Sequence, residues 1–214
     1  MGKLAAIIFF FASLQVFSQD KIVQYSKDFD FKNGIYLSIS DFKNNNPVIA
    51  SKIISDYDRT ARDFFNQVLS KSNFSYKDSS GKEQTVKSNS IWGFCQNGAV
   101  YINYGTEYAR VTIIGSLCHF VATVQRQIGG MYDPFYYNDP FYNPHRYVYS
   151  SEQFVLDYET GKVVSFDVNN MEALLSRDEE LYKQFSALKK RQKRDGIFLY
   201  LRKYNERHPV FFPE

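Results

Sequence analysis

Apolar positions between residues 90 and 127 fall in short β-branched and aromatic runs separated by turn residues. Ile91-Trp92-Gly93-Phe94-Cys95 leads into Gln96-Asn97-Gly98, and Ala99-Val100-Tyr101-Ile102 follows. Two further runs come next, Tyr108-Ala109-Arg110-Val111-Thr112-Ile113 and Leu117-Cys118-His119-Phe120-Val121-Ala122-Thr123-Val124-Gln125. This pattern predicts an antiparallel meander. Asn97-Gly98 is its strongest local signal, because a type I′ hairpin needs φ > 0 at both central residues and Asn and Gly tolerate that best. Cys118, Phe120, Ala122 and Val124 share one face of their strand, and His119, Val121, Thr123 and Gln125 share the other.

The flanking patterns complete the architecture. Residues 19–32 are polar with scattered apolar positions and read as a loosely held segment. Asn33-Gly34 reads as a turn. Ser40 is expected to cap a single helical turn that ends in the Asn44-Asn45-Asn46 run and Pro47. Residues 48–57 read as a strand. Residues 60–70 carry Phe64, Phe65, Val68 and Leu69 at near-helical spacing. Two runs, 74–77 and 84–87, flank a Gly-containing turn and form a hairpin. Beyond the meander a Pro-rich loop covers 129–146, where Pro134, Pro140 and Pro144 block strand pairing. Residues 147–158 and 163–168 read as strands joined at Glu159-Thr160-Gly161-Lys162. The rest is helical. Asn169 or Asn170 caps a segment with Met171, Leu174 and Leu175. Ser176 and Glu179 form a capping box for a helix with Leu181, Phe185 and Leu188 on one side. Asp195-Gly196 is expected to break that helix, and Ile197, Phe198, Leu201 and Tyr204 mark a last one ending before Pro209. Strands first and helices last predict an α+β domain: a twisted antiparallel β-meander sheet packed by C-terminal helices.

The first residues change the picture of where the protein works. Lys3, the apolar run 4–12 and Val16-Phe17-Ser18 have the pattern of a secretory leader, residues 1–18, cleaved before Gln19. The apolar run is shorter than the roughly 20 residues a spanning helix needs. Residues 19–214 then form one domain. The formal net charge is only +3, and Lys3 leaves with the leader, so no nucleic-acid partner is expected. Aromatic residues are 18% of the chain, with 17 Tyr and 20 Phe; much of this is expected in the core, because β-rich domains use aromatics in strands, and a part of it in the 129–146 loop. Two cysteines remain, Cys95 and Cys118. On the first and fourth strands of a flat meander they would lie about 14 Å apart, whereas a disulfide needs Cα atoms within about 7 Å. Two buried free thiols are the expectation.

Candidate chemistry is sparse. Cys118 and His119 are adjacent on a strand, so they point to opposite faces and cannot pair. The three histidines, His119, His145 and His208, lie far apart without a metal-binding spacing, so no metal or cofactor is expected. Asp178, Glu179 and Glu180 open a helix, where carboxylates complement the dipole. Two stretches have binding character. Tyr132, Phe135, Tyr136, Tyr137, Phe141 and Tyr142 crowd the loop, and Asp133-Pro134-Phe135-Tyr136 recurs as Asp139-Pro140-Phe141-Tyr142. Such rings fold back to complete the core over the sheet, meet a ligand or partner by stacking on sugar rings or inserting at a membrane interface, or belong to a disordered loop. Lys189, Lys190, Arg191, Lys193 and Arg194 form a basic run. It reads as a solvated helix C-terminus, where cations complement the dipole, or as a contact for anionic lipid headgroups, lipopolysaccharide or another polyanion at the membrane periphery.

Asn33-Gly34-Ile35-Tyr36, Asp41-Phe42 with Pro47, Ile91-Trp92-Gly93-Phe94-Cys95, Gly115 with Leu117-Cys118, and Tyr204-Asn205 together resemble uncharacterised exported proteins of Bacteroidetes-type bacteria. The resemblance spans most of residues 19–214 and implies an envelope, periplasmic or extracellular location with no established activity. The expectation is therefore a non-enzymatic binding or interaction protein of the cell envelope, its partner a glycan or protein. An envelope hydrolase with a fold-assembled site and a structural subunit of an exported assembly are the alternatives.

Overall fold

The computed structural model describes residues 21–129 and 145–214. The expected leader and the aromatic residues Tyr132, Phe135, Tyr136, Tyr137, Phe141 and Tyr142 lie outside the described residues. In chain order the elements are β1 (Ile22–Gln24), β2 (Gly34–Tyr36), α1 (Ile39–Lys43), β3 (Ile53–Ile54), α2 (Phe64–Leu69), β4 (Asn73–Lys77), β5 (Glu83–Lys87) and β6 (Gly93–Gln96). There follow β7 (Ala99–Tyr104), β8 (Glu107–Ile113), β9 (Leu117–Gly129), β10 (His145–Asp157), β11 (Val163–Ser165), α3 (Val168–Leu175), α4 (Glu179–Ser186), α5 (Lys190–Arg207) and β12 (Phe211–Pro213).

The central element is a seven-stranded antiparallel sheet in the order β11-β10-β9-β8-β7-β6-β2. From β6 to β11 the order follows the chain, so the meander and the α+β class have the predicted form. Asn97 and Gly98 have φ of 52° and 73°, and Gln96 pairs with Ala99 across them. That is the two-residue hairpin turn the dipeptide favours. Phe94 and Tyr101 pair across this hairpin with stacked rings 4.7 Å apart.

Both faces of the sheet are covered. On one face Cys95, Val100, Ile102, Val111, Cys118, Phe120 and Phe154 meet Phe31, Phe42 and Phe212. On the other face the cover is split. Ile35 and Phe94 pack on a lobe made by α2 and the small sheet β3-β4-β5. Leu117 and Val155 pack on α3, α4 and α5 through Met171, Leu175, Phe185 and Leu201.

Several local expectations give way to tertiary structure. Residues 19–32 are not loosely held where described: β1 pairs with β12, and Phe31 is buried. Asn45 explains part of this. It is buried with φ of 44°, its Oδ1 accepts from Lys32 N and Tyr36 Oη, and its Nδ2 donates to Pro213 O. One amide thus ties the chain start, β2 and the chain end. The cap of α1 is Ser38 rather than Ser40, because Ser38 and Asp41 form the reciprocal capping pair. Residues 48–57 form a 3-10 turn at Ala50–Lys52 and only a two-residue strand. Asp167, not Asn169 or Asn170, caps α3. Asp178, not Ser176, caps α4. Asp195-Gly196 does not break a helix: α5 runs straight through it, and the break falls before Lys190. A single Gly lowers helix propensity by about 1 kcal/mol, and the burial of Ile197, Tyr200, Leu201 and Tyr204 on one side outweighs that.

Helix α5 is fixed to the sheet by Asn205. Its Oδ1 accepts from Leu117 N at 2.8 Å and its Nδ2 donates to Leu117 O at 2.9 Å. Gly115 makes room for it, since a Cβ there would stand 2.5 Å from the amide. Ser116 Oγ donates to His208 O at 2.5 Å beside it. Asn205→Ala leaves both Leu117 backbone groups without that partner, and urea unfolding should show a loss of about 2 kcal/mol. A loss indistinguishable from that of Asn44→Ala, at an exposed position, would mean that the amide does not hold the helix.

Candidate functional site

The titratable groups that could serve chemistry are held in structural contacts. A register shift between Val111 and Ile113 at the β8–β9 junction places Thr112 beside His119. Thr112 Oγ1 lies 2.8 Å from His119 Nδ1, and Gln153 Oε1 lies 3.0 Å from Nε2. With Nε2–H donating to Gln153, Nδ1 accepts from the Thr112 hydroxyl. Phe166 and Phe198 stack edge-on against the ring, each at 4.9 Å. Burial lowers the pKa of His119, with the Gln153 bond opposing, so the ring is held neutral. It is a satisfied core histidine with no carboxylate among its hydrogen-bond partners.

Cys95 and Cys118 are both reduced and buried, as the strand count predicts. Cys118 Sγ donates to Gly115 O at 3.1 Å, and Cys95 Sγ lies 3.7 Å from Phe31 O. Burial pushes each thiol up to about 12, so neither carries thiolate at neutral pH.

Asp178 is a carboxylate that joins two helices. It caps α4 by accepting from Leu181 N at 3.0 Å, and it receives Arg207 Nε at 2.6 Å and His208 Nε2 at 2.9 Å. Arg207 Nη1 also reaches Glu180 at 2.9 Å. The Leu181 backbone bond, joined by Arg207 and His208, holds the Asp178 carboxyl down to about 2 against the opposing effect of burial. This cluster locks the start of α4 to the end of α5. Among the described residues, no group of three His, Cys, Asp or Glu is arranged to hold a metal ion. None of the described helices is long and apolar enough to cross a membrane.

Two surfaces remain with binding character. The first is the far part of the β9–β10 hairpin. These are the longest strands, and their pairing continues from Leu117 with Asp157 out to Gly129 with His145. β8 pairs with β9 at Phe120 and His119, with Thr106 N, just before β8, donating to Thr123 O, and β11 pairs with β10 at residues 154–156, with Phe166 N donating to Gln153 O. Beyond Val124 the hairpin is a two-stranded ribbon. Tyr147 pairs with Gln127, and Tyr149 with Gln125. With the period of two, these four residues share one face with Thr123 and Ser151. Tyr147 and Tyr149 are 52% and 62% exposed. On the opposite face Arg126 is tied to Glu152 at 2.5 Å. The exposed tyrosines were passed over at the sequence level because their strand reads as ordinary alternation. Their signal was position: both lie next to the Pro-rich loop, where the neighbouring strands have ended.

The second surface is the basic run. Lys190, Arg191, Lys193 and Arg194 open α5 and Lys189 precedes it, which corrects the reading of a helix C-terminus. Lys190 and Arg191 in the first turn face the positive end of the dipole, and each costs about 0.3–1 kcal/mol instead of stabilising the helix. Lys193 pairs with Glu172 at 2.8 Å and is 14% exposed. Arg191 approaches Asp195 at 3.7 Å in an exposed pair that contributes little. Lys190, Lys193 and Arg194 border a cleft of about 620 Å³ between α3 and the start of α5.

The fold and surface geometry together define an α+β protein whose two candidate surfaces are an aromatic-amide ribbon and a cation-rimmed cleft. No protein-family model matches the chain, no curated protein matches it, and no solved structure matches it.

Two outcomes follow from the buried groups. The native protein at pH 8 should not react with a thiol-specific disulfide reagent, while the urea-unfolded chain should titrate two thiols; one fast-reacting thiol in the native state would contradict the packing. The folded pKa of Asp178 lies below its ordinary 3.8, so its stabilisation is complete above about pH 4 and is lost as pH falls toward 2. Asn is an equally good N-cap, so Asp178→Asn should keep the cap but lower the melting temperature at pH 7. It should also show a shallower loss of stability between pH 4 and 2 than the wild type. An unchanged acid profile would assign the acid sensitivity to other carboxylates.

Proposed function

We propose that this chain is an exported, non-enzymatic binding protein of the bacterial cell envelope that meets its partner through the open face of the β9–β10 ribbon. The observation that carries this reading is the pair Tyr147 and Tyr149, side by side on one face and more than half exposed, opposite Gln125 and Gln127. Aromatic rings with polar tips offer large contact area at low entropic cost. The exposed Gln125 amide beside them supplies donors and an acceptor for hydroxyl groups. A glycan suits this combination, because sugar rings present C–H faces to aromatic rings and hydroxyls to amides. Export is supported by the leader pattern around Lys3 and residues 4–18. The engagement of His119, Cys95 and Cys118 in packing favours binding over a hydrolytic reading.

The test is cosedimentation of the protein beginning at Gln19 with isolated envelope material. A Tyr147→Ala/Tyr149→Ala variant should bind about tenfold more weakly with an unchanged melting temperature, since both side chains are exposed. Periodate treatment of the envelope should abolish binding and protease treatment should not. The reverse pattern would make the partner a protein. Binding by the double variant equal to wild type would overturn the ribbon as the contact surface. Concentration-dependent self-association lost in the same variant would instead favour a subunit of an exported assembly.

A further inference from the structure

The cleft at the start of α5 combines features that the fold does not need. Its volume of about 620 Å³ lies in the range of small-molecule sites. Its apolar wall is Phe166, Val168, Leu188 and Ile197. Of these only Ile197 is buried; the other three remain partly exposed inside a concavity. Apolar surface of this kind in a hollow gains by covering with an apolar body.

The polar groups of the cleft are not equivalent. Glu172 is engaged by Lys193 at 2.8 Å, and the Lys193 ammonium also lies 5.5 Å from the centre of the Phe185 ring. Asp167 accepts from Asn170 N at 2.9 Å and from Asn170 Nδ2 at 2.9 Å as the cap of α3. These acids therefore have local partners. Among the described residues Lys190 and Arg194 have none, and their spacing of four residues places them on one side of the helix with Cβ atoms about 6 Å apart. Two neighbouring like charges without a counter-ion destabilise a helix, and Lys190 in the first turn also opposes its dipole. Their placement is accounted for by an anion held between them.

We infer that this cleft binds an amphiphilic organic anion, an acyl or aryl body ending in a carboxylate or a phosphate. The body covers Phe166, Val168, Leu188 and Ile197. The head lies between Lys190 and Arg194, where the guanidinium can donate two parallel N–H bonds to it. The site is on the helical side of the molecule and is independent of the ribbon.

Isothermal titration of the protein beginning at Gln19 with dodecanoate and dodecyl phosphate, below their micellar concentrations, tests this. Both should bind with one-to-one stoichiometry. Dodecylamine and inorganic phosphate should bind much more weakly, because each lacks one half of the recognised chemistry. Lys190→Glu/Arg194→Glu and Leu188→Asn should each weaken dodecanoate by about tenfold or more. The first changes only exposed residues and should leave the circular dichroism spectrum unaltered without lowering the melting temperature, since carboxylates suit a helix N-terminus better than cations do. Tyr147→Ala/Tyr149→Ala should bind dodecanoate as the wild type does, so failure of the ribbon reading and failure of this one are separable. Equal binding of dodecylamine, inorganic phosphate as tight as dodecyl phosphate, or an unaffected charge-reversal variant would overturn the proposal. Cosedimentation with phosphatidylglycerol vesicles that dodecanoate does not displace would assign the cations to a membrane surface and would also overturn it.

Discussion

The amide of Asn205 on the backbone of Leu117 is the contact on which the helical half depends. Leu117 opens β9, and β9 with β10 makes the longest ladder of the protein. An amide satisfies an N–H and a C=O at once, so it fixes both the height and the rotation of α5 against the sheet. With α5 placed, α3 and α4 have one packing arrangement over Leu117 and Val155. Asp178 then closes the other end by joining the start of α4 to Arg207 and His208. Polar contacts do the orienting here, and the apolar cluster around Met171, Phe185 and Leu201 supplies most of the burial.

The other face follows a related logic. Phe31, Phe42 and Phe212 come from three distant parts of the chain and form one aromatic cluster, with Phe42 stacked on Trp92 at 4.3 Å. Asn45 holds those parts in register by bonding Lys32, Tyr36 and Pro213. Much of the large aromatic content is thus structural. The sheet has apolar rings on both faces, and they need large covers. Among the described residues Tyr147, Tyr149, Phe211 and Tyr182 are the large aromatic side chains left exposed, and the first two stand together on one face of the ribbon.

The two candidate surfaces differ in how they arise. The ribbon exists because β9 and β10 outrun their neighbours, so a face buried near His119 and Val155 becomes open at Gln125 and Tyr149. The cleft exists because the chain restarts as α5 after a short break, leaving Leu188 and the first turn facing α3. Neither surface uses the buried histidine or the thiols.

Much of the fold was legible from residues alone. Strand period, the Asn97-Gly98 turn and the strand-then-helix order determined the meander and its class, because these depend on contacts between near neighbours. The same counting put Cys95 and Cys118 on separated strands as free thiols. The exact helix caps were not legible. Ser40, Asn169 and Ser176 each stand two residues from the true caps, Ser38, Asp167 and Asp178, and packing of the apolar side chooses among them. Continuity of α5 through Gly196 was decided by burial of Ile197 and Leu201, and with it the basic run moved from a helix end to a helix start. Tertiary structure alone decided that His119 is satisfied, that the first residues of the fold are tied to the last, and which tyrosines face water. Each of these depends on groups far apart in the chain, and no local periodicity records their meeting.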